Sequence, residues 1–168
     1  KHLTQDSEQV RKIYWGALLQ KKRKIGIADS ILLKRGALND SEWKIMRTHP
    51  EIGYRILSAV PNMSDAKEMV LSHEERFDGT GYPRNLSGTN ISLWARLFAV
   101  IDTLDSITSD RPYRKALSFC DAVSEIHHQS GRQFDPVVIK VFSDEQETLK
   151  LMVSLKCGAD LEPQEPWG

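Results

Sequence analysis

The stretch "SHEERFDGTGYP", Ser72 to Pro83, marks where the chain changes character. Ahead of it, Ala66, Met69 and Val70 precede His73 at helical spacing, so His73 falls on the apolar face of a helix that starts at Ser64. Behind it, Gly79 to Asn90 is dense in Gly, Pro, Ser and Asn and reads as a long loop. A histidine and two carboxylates, Glu74 and Glu75, therefore stand at the mouth of a glycine-rich turn. That placement suits a metal-centred site or the remains of one.

Helical periodicity extends outward on both sides. Val10, Ile13, Tyr14, Ala17 and Leu18 predict an amphipathic helix from Ser7 to about Lys21. A short helical turn over Asp29 to Lys34 stops at Gly36. Asn39-Asp40-Ser41-Glu42 resembles a capping box and opens a helix to about Thr48, which Pro50 interrupts. Ile52, Ile56, Ala59 and Val60 mark the next helix, which ends at Pro61. Downstream, Ile91 to Ser109 is the longest and most apolar segment, followed by helices over Ser118 to His128 and Pro136 to Lys156. Trp and Phe residues at helical spacing are expected in the core. No alternating pattern suggests a sheet, and the tail from Gly158 is polar and Pro-bearing.

The 168 residues suffice for one domain with a real core. The formal net charge is zero, which argues against bulk electrostatic binding of nucleic acid or membrane. No apolar run approaches the roughly 20 residues of a membrane helix. Cys120 and Cys157 are too far apart in sequence for a CxxC pair and fit a reducing compartment. These features lead to the expectation of a bacterial-type cytoplasmic module cut from a longer protein.

Several helices direct polar residues inward. His49 follows Ile45 and Met46 by four and three, Asp102 follows Phe98 by four, and Gln20 and Lys21 follow Ala17 by three and four. Four helices thus point polar groups at a common interior.

"HEERFDGTGYP" resembles the signature of the HD-GYP domains, and four further blocks resemble family blocks in the same order. They are "KIGIADSILLKRGALNDSEW" (Lys24 to Trp43), "HPEIGYRIL" (His49 to Leu57), "AVIDTLDSITSDRPYRKA" (Ala99 to Ala116) and "GRQFDPVVIKVF" (Gly131 to Phe142). The resemblance implies an all-α fold, the HD-superfamily helical bundle of HD-GYP type. It also implies the activity of that family, metal-dependent linearisation of cyclic di-GMP. Residues 1–143 are expected to form the HD-GYP-like domain, and 144–168 a helical extension with a frayed tail.

Residue by residue, the resemblance carries over His49, His73 and Asp102 as metal ligands, with Glu74 standing where the family has a second histidine. Lys24 matches a lysine near the scissile phosphate, and Tyr82, Arg111 and Arg114 surround the expected substrate pocket. Lys24 and Asp102 are the candidate catalytic pair. The doublet that names the fold is replaced: Gln20-Lys21 stands where the family has His-Asp. Arg23 stands where the family has Gly. A further family ligand comes from a helix ahead of the one at Ser7, which the chain barely reaches.

These substitutions have direct physical consequences. In the family the Asp of the doublet bridges two cations and offsets part of their repulsion. An ammonium at Lys21 would instead repel them in a low-dielectric pocket. The amide of Gln20 binds transition metals weakly. The two-metal centre is therefore not expected to form, and Lys21 is expected to take the place of a metal beside Asp102 or Glu74. The corresponding expectation is no bound metal, with iron, manganese or zinc as the metals that the His/carboxylate set would suit.

Each residue also has a plainer reading. His49 and His73 are residual ligands or satisfied core histidines. Glu74 is a ligand or points to solvent. Arg111 and Arg114 grip phosphate or brace their loop through Asp105 or Asp110. Tyr82 stacks on a guanine base or packs on the helix below. Asp105 is read as a local brace, His127-His128 as a surface pair, and "QKKRK" as a solvated face. Three functions remain open: a non-catalytic regulatory module of cyclic di-GMP pathways, an active cyclic dinucleotide phosphodiesterase, or a module docking a diguanylate cyclase (GGDEF) domain through the Tyr82 loop.

Overall fold

The computed structural model describes residues 27–32, 34, 36–110 and 114–158. The expected Ser7–Lys21 helix, the tail after 158, and Gln20, Lys21, Lys24 and Arg111 lie outside the described residues. The described elements are helical: α1 (Asp29–Leu32), α2 (Asp40–Met46), α3 (His49–Ser58), α4 (Ser64–Ser72), α5 (Leu93–Ile107), α6 (Phe119–His128), α7 (Pro136–Asp144) and α8 (Gln146–Gly158). A 3-10 turn, Gly88–Asn90, closes the long loop.

Side-chain caps account for four of the eight described helix starts. Asn39 caps α2: its side chain accepts from the Glu42 amide while Glu42 Oε2 accepts from the Asn39 amide at 2.8 Å, a complete capping box. Ser92 and Ser118 cap α5 and α6 through their hydroxyls. Asp135 caps α7, accepting from the Val137 amide at 2.8 Å. Its other oxygen is ion-paired with Arg96 of α5.

Two cores result. The larger gathers Val100, Leu104 and Ile107 of α5, Ala122 and Ile126 of α6, Phe134, and Val138, Ile139 and Phe142 of α7. The smaller joins Leu57 of α3 to Met69 and Val70 of α4, with Trp94 and Phe98 of α5 packed against it. The long α5 therefore serves both cores.

The structure changes three expectations. Pro50 does not break a helix but sits in the first turn of α3, where a missing N–H removes no intrahelical bond. The expected helix Pro136 to Lys156 divides at Glu145, whose φ of −104° and ψ of 13° leave the helical range. No glycine or proline marks that break. Trp43, expected in the core with the other aromatics, is 44% exposed. Its helix, α2, has no buried residue, so periodicity there does not report a core.

Candidate functional site

Two helix ends build the centre. His49 is the first residue of α3, and His73 directly follows the last residue of α4. The two helices approach closely: a Cβ on Gly53 would meet Val70 Cγ1 at 2.6 Å. That approach brings the imidazoles together with their planes tilted by 54° and their Nε2 atoms 3.1 Å apart. Both histidines are 5% exposed. The offset from Ile45 did not determine the burial of His49, because Ile45 lies on a different helix and is exposed.

The tautomers follow from the neighbours. His49 Nδ1 lies 2.7 Å from the Met46 carbonyl oxygen, and His73 Nδ1 lies 2.7 Å from that of Val70. A carbonyl only accepts, so each Nδ1 carries its hydrogen and donates it. The Nε2 lone pairs are thereby turned toward each other. Glu74 Oε1 completes the group at 3.4 Å from His49 Nε2 and 3.3 Å from His73 Nε2. Two lone pairs and a carboxylate oxygen at such distances repel one another unless a cation, proton or metal, lies among them. Burial opposes the charge on Glu74, but a proton held on the Nε2 of His49 or His73 donates to the carboxylate, overrides the burial and holds the carboxyl well below the usual carboxylate range.

The donor set fits a divalent transition metal. Ligating atoms of His49, His73 and Glu74 lie within 4.8 Å of one another. Each imidazole is oriented by a hydrogen bond from its other nitrogen, the arrangement that metal-binding histidines require. Asp102, half-buried on α5, does not belong to this cluster.

The loop after His73 is clamped to the centre. Glu75, 4% exposed, accepts from the Arg84 amide at 2.7 Å and the Leu86 amide at 3.0 Å. The Tyr82 amide donates to the Glu74 carbonyl at 3.2 Å. Gly81 lies against the Glu74–Arg76 backbone so closely that a Cβ would stand 2.3 Å from the Arg76 nitrogen. The amides of Phe77 and Asp78 donate to the carbonyls of Gln133 and Arg132, tying "ERFD" to "GRQF". The Tyr82–Pro83 peptide is cis. Tyr82 meets the His49 ring edge-on, with centroids 6.2 Å apart.

Other sequence-derived candidates lie elsewhere. Arg114 Nη2 donates to the Ser106 carbonyl at 2.8 Å, bracing the last turn of α5. Asp110 accepts from the Ala116 amide at 2.8 Å, and Asp105 pairs with Lys156 at 2.5 Å. His127 and His128 are exposed.

Sequence reasoning missed Arg47 and Trp43. They lie one helical turn apart at the exit of α2, with Arg47 Cζ 5.9 Å from the Trp43 ring centre and 5.6 Å from that of Tyr82. A cleft of about 210 Å³ runs from His73 and Glu74 to Trp43, Arg47 and Tyr82. A second, of about 350 Å³, adjoins it across Arg47, Thr80, Gly81 and Tyr82 and reaches Lys44 and Glu51. The available signal was the i, i+4 pairing of an aromatic with an arginine, just ahead of the histidine.

A helical bundle with a histidine-lined, metal-competent centre beside a clamped glycine-rich loop defines an HD-type metal-dependent fold. The chain belongs to the HD domain family, whose model matches residues 1–138, and to its HD-GYP branch. It is 44% identical over 131 residues to the cyclic di-GMP phosphodiesterase response regulator RpfG of Xanthomonas campestris, a match covering 77% of this chain and 35% of RpfG. It is 41% identical over 135 residues to a cyclic di-GMP phosphodiesterase of Thermotoga maritima, covering 79% of this chain and 37% of the relative. A 3'3'-cGAMP-specific phosphodiesterase of Vibrio cholerae is 37% identical over 120 residues, covering 70% of this chain and 23% of its own length. The chain thus spans about a third or less of the curated relatives it matches. The crystal structure of a cyclic GMP-AMP specific phosphodiesterase of V. cholerae matches 90% of this chain and 42% of its own with a TM-score of 0.64 at 19% identity, which shows the shared fold. Among the described residues, no helix is long and apolar enough to cross a membrane.

Proposed function

We propose that this domain is a cyclic dinucleotide signalling module that holds one divalent cation at His49, His73 and Glu74 and does not hydrolyse the nucleotide. The observation carrying this reading is the 3.1 Å approach of two Nε2 atoms whose hydrogens are both committed at Nδ1. A cation bound there would supply a Lewis acid for a phosphate oxygen. His49 and His73 would hold it by nitrogen, and Glu74 would add charge that suits iron, manganese or zinc. The Phe98 and Tyr82 rings beside the histidines limit water around the centre.

The failure of hydrolysis follows from the sequence. Lys21 puts a positive charge where the family has the carboxylate that joins a second metal, and Gln20 offers an amide in place of imidazole. One cation can orient a phosphodiester, but the paired-metal activation of water is lost.

The test combines metal analysis, cyclic di-GMP binding and turnover on the purified protein. One metal per chain and nucleotide binding without linear product support the reading. Linear product would reinstate the phosphodiesterase. Loss of both metal and nucleotide would leave docking of a diguanylate cyclase domain through the Tyr82 loop. Gln20→His with Lys21→Asp is expected to raise metal content and yield turnover.

A further inference from the structure

The geometry points to a guanine-selective base pocket formed by Trp43, Arg47 and Tyr82; this inference rests on the cyclic dinucleotide reading and deepens it. Arg47 is an exposed guanidinium between two aromatic rings, 5.9 Å from the centre of Trp43 and 5.6 Å from that of Tyr82. Among the described residues it forms no ion pair, unlike Arg76, Arg84 and Arg96, which bond Asp78, Glu68 and Asp135. Its five donors are therefore not committed to a protein carboxylate.

Position gives this cation a use. Tyr82 touches both partners: one side of its ring faces Arg47, and His49 meets it edge-on. The cleft that opens at His73 and Glu74 ends at Trp43 and Arg47. A nucleotide whose phosphodiester sits at the histidine centre has its own base within reach of this wall. Aromatic faces stack on any base. Arginine selects among them: guanine offers two acceptors, O6 and N7, that match the guanidinium fork, whereas adenine offers N7 and a clashing N6 donor. Lys44 and Arg76 add positive charge at the edges of the clefts, and Glu51 and Glu74 are the carboxylates facing them. Glu75, also in the lining, is committed to the Arg84 and Leu86 amides.

The experiment measures binding of cyclic di-GMP, cyclic di-AMP and the mixed GMP–AMP dinucleotide to the protein and to its Arg47→Ala, Arg47→Gln and Trp43→Ala variants, with GMP and AMP as minimal probes. The protein should prefer guanine ligands by about tenfold or more, and Arg47→Ala should remove that preference. Arg47→Gln should turn it toward adenine, because a glutamine amide matches N6 and N7. Trp43→Ala should weaken all ligands by roughly tenfold without changing their order. Metal content should be the same in all four proteins. An unchanged guanine preference in Arg47→Ala, or equal binding of GMP and AMP by the unmodified protein, overturns the pocket. If the cyclic dinucleotides fail to bind while GMP binds through Arg47, the pocket stands and the cyclic dinucleotide reading falls.

Discussion

His49 and His73 point their Nε2 atoms at each other across 3.1 Å, each with its Nδ1 hydrogen bound to a carbonyl three residues back. The pair is set up to receive a cation, and this has a thermodynamic signature. A metal that binds only the folded chain stabilises it by about 2.7 kcal/mol at a hundredfold excess over its dissociation constant. Added zinc or manganese is expected to raise the melting temperature, and a chelator to lower it. In His73→Ala the melting temperature should be insensitive to both, as differential scanning calorimetry would report.

Gly81 tests how firmly the loop is seated. Gly81→Ala would place its Cβ 2.3 Å from the Arg76 nitrogen and 2.5 Å from Glu75 Cα, atoms that cannot rotate away. The expected loss is about 2–3 kcal/mol in urea denaturation. Gly36→Ala, where a Cβ would meet nothing within 4 Å, provides the control and should be near neutral.

Glu75 supports the same loop from below. Glu75→Ala leaves the Arg84 and Leu86 amides without their acceptor, at roughly 1–3 kcal/mol for each amide that stays buried. Glu75→Gln keeps one acceptor and should lose about half as much. Hydrogen exchange at residues 82–88 should accelerate in the order Gln, then Ala.

The capping box of α2 should give an acid-dependent contribution. The hydrogen bond from Lys34 and that from the Asn39 amide hold the Glu42 carboxyl below its ordinary value. A depressed folded value contributes stability above the unfolded value of about 4.3, and that contribution is lost as pH falls through the folded value. Glu42→Gln should therefore melt below the unmodified protein at pH 7, with the gap closing below about pH 4. A gap constant from pH 7 to pH 3 would contradict this.

The sequence revealed more of the fold than of the site. Helices α2, α4, α5 and α6 could be placed from caps and apolar spacing because Asn39, Ser92 and Ser118 sit ahead of periodic runs. The break at Glu145 was invisible because it lacks glycine and proline, and the backbone there follows packing rather than local propensity. At the site, the residue blocks pointed to His49 and His73, yet only the structure shows why they meet, through Gly53 against Val70. Glu74 was ambiguous because residues past a helix end have no fixed face. Arg47 and Trp43 went unread because a cation and an aromatic on an exposed turn look like ordinary surface until the Tyr82 ring is placed between them and the histidines.

Every anchor described for the Tyr82 loop comes from its own neighbourhood: Ser72 and Glu68 on Arg84, Glu75 on two amides, Arg132 and Gln133 on Phe77 and Asp78. None of these bonds uses the imidazole of His49 or His73. The seating of the loop and the ligand chemistry of the centre are therefore separable under mutation: replacing either imidazole is expected to change what the centre holds while the loop keeps its shape.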